Sequence, residues 1–301
     1  MESKKHAYEK IKRPTEAQIT KIADKLGLHF SQEETKSYMK LIDKHLALYD
    51  ILNGLPDNLP QVKYPRLPGY QPSESENKLN AWYVKTEVKG APTGKLSGKK
   101  IVLKDNICLA GVPMMNGTSI LEGYIPEIDA TIVTRILDAG GTIVGKAHSE
   151  NLCAEAGSIT NNKGVIHNPH KYEHMTGGSS SGTCALVGSG EVDMGIGTDN
   201  GGSIRIPSSW CGCYGMKPTY GLVPFTGIMN CVVSTDHAGP ITNNVYDNAL
   251  LLEVIAGPDD LDPRQHIPEG KYGDYTSNIK AGVKDMKIGI IKEGFGFKQS
   301  E

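Results

Sequence analysis

The chain has 301 residues, room for one large domain or two ordinary ones at roughly 150 residues each, so a full core needs no covalent staples. Its charge is nearly balanced, with 32 Lys and Arg against 34 Asp and Glu and no recurring basic stripe, which argues against nucleic acid or an anionic membrane as partner. No apolar run approaches the roughly 18 residues of a membrane span; with a polar opening, MESKKHAYEKIKR, and six cysteines that read as buried thiols, a cytoplasmic protein is expected.

Thr15 with Gln18, and Ser31 with Glu34, have the spacing of capping boxes, each opening a stretch of helical periodicity. In the second stretch Met39, Ile42, Leu46 and Tyr49 recur at three- and four-residue steps until Asn53-Gly54 ends the run. That stripe is expected to cover the main domain or to meet the same helix of a second copy in a homodimer. A Pro-rich connector, Pro56 to Pro72, follows, which sets residues 1–72 apart from a main domain over 73–301.

From about residue 95, short β-type runs alternate with helices. Ile101-Val102-Leu103 reads as a strand, Asp129 as the cap of a helix over Ala130–Ala139 closed by Gly140-Gly141, and Thr142–Gly145 as the next strand. Gly177-Gly178 leads into a helix near Ser181–Gly188, followed by a strand near Val192–Ile196, a helix around Val245–Ala256 and a strand at Lys287–Ile291. The alternation predicts an α/β fold, a mixed and mostly parallel sheet covered by helices, with the N-terminal helical region attached.

Glycine makes up 35 of the 301 residues, about 12% against a usual value near 7%, and 13 of them fall between Gly177 and Gly227. The apolar residues interleaved there exclude low complexity, so the backbone must need positive φ or close approach. A dinucleotide or phosphate loop fits poorly: G-x-G occurs at Gly188–Gly190 and Gly195–Gly197, but the third glycine and a Gly-Lys-Ser/Thr are missing. A nucleophile elbow at Gly178-Ser179-Ser180-Ser181-Gly182 lacks the apolar strand that must precede it.

The remaining reading pairs two serine motifs. Gly-Gly-Ser-Ser opens one helix, and Asp199-Asn200-Gly201-Gly202-Ser203 ends a strand and turns 24 residues later. Glycines before a serine let successive N–H groups converge beside its hydroxyl, as an oxyanion hole requires, which makes Ser203 a candidate nucleophile. No histidine, including His167, His170, His174 and His237, stands in a setting that marks it as the base. A lysine serves only if burial or nearby positive charge lowers its pKa, and Lys104, directly after Ile101-Val102-Leu103, stands at the C-terminal end of a buried strand, where open α/β sheets place their sites. Cys211-x-Cys213 lacks the spacing of a zinc site, so no metal is expected.

Lys104 in VLKDNICLAGVPMMNGT, Ser179 in GGSSSG, and Ser203 in TDNGGSIRIP followed by CGCYGMKPTYGLVP resemble the amidase signature family from about Trp82 onward. AWYV, GVPMMNGT, STDHAGPI and VIAGPDD, with the helical N-terminal region, are most similar to the stand-alone aliphatic and aromatic amidases. The resemblance implies hydrolysis of small aliphatic or aromatic primary amides to acid and ammonia, without a cofactor. It makes Ser203 the acylated nucleophile, Ser179 a bridging serine on a cis peptide and Lys104 the terminal base. The oxyanion is expected on the N–H groups of Asn200, Gly201, Gly202 and Ser203, with Asp199 and Arg205 bracing that loop and Ser180 hydrogen-bonded near Lys104.

Two departures from the family pattern stand out. Ser181 occupies a position that is most often Gly, and family members run considerably longer, so residues 73–301 are expected to be an incomplete catalytic domain. Two other functions stay open. One is an amidotransferase A-type subunit releasing ammonia for tRNA-dependent amidation; the other is a truncated, non-catalytic amidase-like protein.

Overall fold

The computed structural model describes residues 11–55, 59–266 and 272–291. The chain divides into two compact units, Met1–Leu59 and Pro60–Glu301. In the first, both capping boxes form: Thr15 caps α1 (Glu16–Lys25) and Ser31 caps α2 (Gln32–Asn53), with Gly54 closing the second helix. Met39, Ile42 and Leu46 are half-buried on α2, whereas Tyr49 is exposed, as are Leu41, Leu48 and Leu52. The start of the Pro-rich connector, at Pro56, lies outside the described residues. From residue 60 the connector belongs to the second unit, not to the helical region: Lys63 and Tyr64 bind Asp138, Arg66 binds Asp129, and Tyr70 pairs with Lys85.

The second unit is built on a six-stranded sheet in the order β1-β3-β2-β4-β6-β5, comprising β1 (Trp82–Lys89), β2 (Lys100–Lys104), β3 (Thr142–Ala147), β4 (Met194–Asp199), β5 (Tyr214–Gly215) and β6 (His237–Thr242). The mixed character expected from the sequence holds. Parallel pairing is confined to the central trio β3-β2-β4, and the flanking pairs β1/β3, β4/β6 and β5/β6 are antiparallel. The helices are α3 (Thr131–Asp138), α4 (Ser181–Gly188), α5 (Arg205–Trp210) and α6 (Val245–Ile255).

Alternation along β2 sorts the core into two layers and aims the lysine. Ile101 and Leu103 join a cluster with Ile132, Ile136, Leu251 and Ile255 from α3 and α6, while Val102 joins one with Ala185 and Leu186 of α4. Lys104, two residues after Val102, therefore points to the α4 side. Residues Ser181 to Val187 of α4 are all buried, and the strand beneath is stripped to let the helix approach. A Cβ on Gly195 would stand 2.4 Å from Thr183 Cγ2, and one on Gly197 2.7 Å from Ser180 Oγ. Gly195 and Gly197 thus serve helix-on-sheet contact rather than flexibility.

Three local expectations fail. Asp129 does not cap α3; the N-cap is Ala130, because the Asp129 carboxylate is turned to Arg66 and to the N–H of Ala110. Lys287–Ile291 forms no strand, and Ile288, Ile290 and Ile291 are exposed. Of the six cysteines, all free, Cys153, Cys184 and Cys211 are buried, but Cys231 is exposed on the loop before β6. No helix among the described residues is long and apolar enough to cross a membrane.

Candidate active site

Lys104 ends β2 with no solvent exposure, and its Nζ lies 2.7 Å from Ser179 Oγ and 3.3 Å from the carbonyl oxygen of Thr198. Ser179 follows a cis peptide bond from Gly178, just before α4. Ser180, the N-cap of α4, makes no capping bond; its Oγ donates to the same Thr198 carbonyl at 3.2 Å and accepts from Thr198 N–H at 3.3 Å. Lys104 and Ser180 therefore meet at one carbonyl at the end of β4.

Ser179 and Ser203 line one small cavity with Thr198 and Asn200. Its other walls come from Asn106, Cys153, Cys231 and Asp236. Lys104 is not among the lining residues and touches one of them, Ser179. No histidine lines this cavity among the described residues. His237 instead stands behind the loop, its Nδ1 3.3 Å from the Asp199 carbonyl, with burial and the Lys217 ammonium pushing its pKa down.

Asp199 organises the turn between β4 and Ser203. Its carboxylate accepts the N–H groups of Gly202 (3.0 Å), Ile204 (2.9 Å) and Arg205 (3.3 Å), together with Arg205 Nε (3.1 Å) and a terminal guanidinium nitrogen (2.9 Å). Burial alone would raise this carboxyl, but the hydrogen bonds and charge of Arg205 outweigh it and hold it below the usual carboxylate range. One expected donor is redirected: Gly202 N–H points to Asp199, which removes it from the set available to an oxyanion. The N–H groups of Asn200, Gly201 and Ser203 are not spent on another group among the described residues. On the outer side, Asn200 Nδ2 donates to Thr235 Oγ1 (2.5 Å) and Asp236 Oδ1 (3.1 Å).

Several lining residues carry little signal in the sequence. Asn106 binds Thr198 Oγ1 and the Met229 carbonyl, so it joins the ends of β2 and β4 to the loop before β6. Its place two residues after Lys104 in LKDN is the available signal. Cys153, Cys231 and Asp236 carry none, since only the fold brings their loops together. Beneath the site, Asp105 and Lys146 form a fully buried ion pair at 3.2 Å; burial pushes the Asp105 carboxyl up, and Lys146 opposes that. Among the described residues no cluster of three or more His, Cys, Asp or Glu could hold a metal ion.

Comparison with known proteins bears on this geometry. The amidase family model matches residues 72–301. An enantioselective amidase from Rhodococcus rhodochrous is 45% identical over 226 residues, covering 74% of this chain and 43% of the relative. The A-type subunit of the glutamyl-tRNA(Gln) amidotransferase from Methanosarcina acetivorans is 34% identical over 278 residues, covering 92% of this chain and 53% of the relative. The chain spans about half the length of these curated relatives. Among solved structures, the peptide amidase from Stenotrophomonas maltophilia aligns with a TM-score of 0.59 at 37% identity, over 62% of this chain and 39% of that one. The corresponding A-type subunit from Thermotoga maritima gives a TM-score of 0.62 at 38% identity, over 65% and 43%.

Proposed function

The chain belongs to the amidase (amidase signature) family, and from that premise we propose that it hydrolyses small aliphatic or aromatic primary amides through an acyl-enzyme on Ser203. The observation that carries the reading is the buried contact of 2.7 Å between Lys104 Nζ and Ser179 Oγ, at a cavity whose wall also holds Ser203. Lys104 draws a proton through Ser179 while Ser203 Oγ attacks the amide carbonyl. The resulting oxyanion rests on the N–H groups of Asn200, Gly201 and Ser203. Ammonia leaves with a proton returned along the same path, and water then releases the acid from Ser203.

The reading extends to a homodimer through the N-terminal helices, supported by the exposed row Leu41, Leu48 and Leu52, and to the cytoplasm, where six free thiols fit a reducing compartment. Incubation with propionamide and benzamide, with ammonia assayed, tests the activity. Release by the wild type and none by Ser203→Ala is expected; no release from either amide, with the two proteins indistinguishable, refutes it.

A second reading is favoured by the similarity to the A-type subunits of amidotransferases. In that role the same site would release ammonia from glutamine for a partner acting on charged tRNA. Glutaminase activity and stable co-purification with such a partner would select it over the first.

A further inference from the structure

Behind the serine turn lies a carboxylate that the proton path does not use. Glu150 follows β3 and has no solvent exposure. Its Oε1 accepts the Ser181 hydroxyl at 3.0 Å, and its Oε2 accepts the N–H groups of Ile159 (3.0 Å) and Thr160 (2.9 Å) and the Thr160 hydroxyl (2.7 Å). Its own N–H donates to the Ser179 carbonyl at 3.2 Å. A Cβ on Gly178 would stand 2.7 Å from Glu150 Cγ, so the two chain segments touch there as well. Glu150 thus grips the turn at Gly178, Ser179 and Ser181, the segment that presents the hydroxyl facing Lys104. Its other oxygen holds the far end of the loop containing Cys153, a cavity-wall residue at φ 61° in the left-handed region.

We infer that Glu150 is a positioning residue for the Ser179 hydroxyl and that Ser181 is its matched partner. This rests on Ser179 acting as the proton bridge. The site's glycines leave the turn little side-chain packing of its own, so its register must come from neighbours. A buried carboxyl that accepts four donors supplies a fixed, directional anchor, because losing it leaves those buried donors unpaired. Removing the Ser181 hydroxyl takes away the donor to Oε1 and frees the first residue of α4 to drift. Displacements of about 1 Å in reacting groups cost on the order of 100-fold in rate.

The test compares Ser181→Ala, Glu150→Ala and Glu150→Gln with the wild type. In the Gln variant the amide oxygen still meets the Ile159 and Thr160 donors while the NH2 donates to Ser181 Oγ, so it serves as the conservative rescue. With propionamide, Ser181→Ala is expected to lose about 10- to 100-fold in kcat with KM within about twofold, and Glu150→Gln to stay within about threefold of wild type. Deuterium uptake of the peptide covering residues 176–183 is expected to be about tenfold faster in Ser181→Ala and Glu150→Ala, for a local loss of about 1.4 kcal/mol. Wild-type kcat in Ser181→Ala, or unchanged uptake across 176–183, overturns the inference. If the wild type itself releases no ammonia, the amidase reading fails, and the uptake comparison still decides whether Glu150 holds the turn. Should Glu150→Ala not fold, Ser181→Ala and Glu150→Gln carry both readouts.

Discussion

Asp199 and Arg205 look like equal partners in an ion pair, yet the structure predicts a strong asymmetry between their removal. The Asp199 side chain is fully buried, whereas that of Arg205 is 53% exposed. Arg205→Ala removes a contact that solvent screens, and the Asp199 carboxylate keeps three backbone donors, so the expected cost is about 1 kcal/mol. Asp199→Ala strips the acceptor from the N–H groups of Gly202, Ile204 and Arg205. At about 1 kcal/mol for each orphaned donor, the loss is about 3 kcal/mol. Asp199→Asn falls between, since one oxygen still accepts.

The sign of the pH dependence follows from the lowered Asp199 pKa. A carboxyl held below its unfolded value contributes stability that is complete above about pH 3.9 and is lost as pH falls through the lower native value. The gap between wild type and Asp199→Asn should hold from pH 7 to about 4 and close only below that. Urea titration followed by intrinsic fluorescence measures all four proteins. If Arg205→Ala costs as much as Asp199→Ala, or if the Asn gap closes already at pH 6, the account of the turn is wrong.

Other consequences are as direct. His148 is buried and its pKa is lowered to about 3 by burial and the Lys163 ammonium; the unfolded chain takes up a proton near pH 6.5 while the native state does not, so stability falls as pH drops from 6.5 towards 3. At pH 4.5 the loss from this group is about 3 kcal/mol, and His148→Asn should show a correspondingly shallower pH dependence in urea titrations; parallel curves would count against a buried neutral imidazole. Gly182→Ala would set a Cβ 2.4 Å from the Ala81 carbonyl oxygen and 2.7 Å from that of His148. Both obstacles are backbone, so a loss of about 2–3 kcal/mol or failure to fold is expected, and a melting temperature equal to wild type would contradict it.

What could be read in advance follows the range of the interactions. The capping boxes at Thr15 and Ser31 are contained within four residues, and both form. Lys104, Ser179 and Ser203 are legible because glycines and hydroxyls in fixed order carry the site's geometry in the chain itself. The strand β6 is not: HAGPIT holds a glycine and a proline, yet Pro240 pairs opposite Ile196 inside the sheet. β1 is hidden by three consecutive buried residues, Trp82, Tyr83 and Val84, and by register shifts that break the alternation. Asp129 looks like a cap because sequence places it before α3, but its partner Arg66 is 63 residues away. Glu150 likewise gains meaning only from Ser181, 31 residues on.

In the proposed mechanism Ser203 is the nucleophile and Lys104 activates it through Ser179. A fluorophosphonate tests it directly, since attack by a serine Oγ forms the O–P bond and expels fluoride, leaving a stable adduct that peptide mass spectrometry locates. An adduct is expected on Ser203 in the wild type and none in Ser203→Ala, with labelling slowed by about 100-fold or more in Lys104→Ala and Ser179→Ala. An adduct on another residue, or labelling as fast in the Lys104 and Ser179 variants as in the wild type, would contradict it.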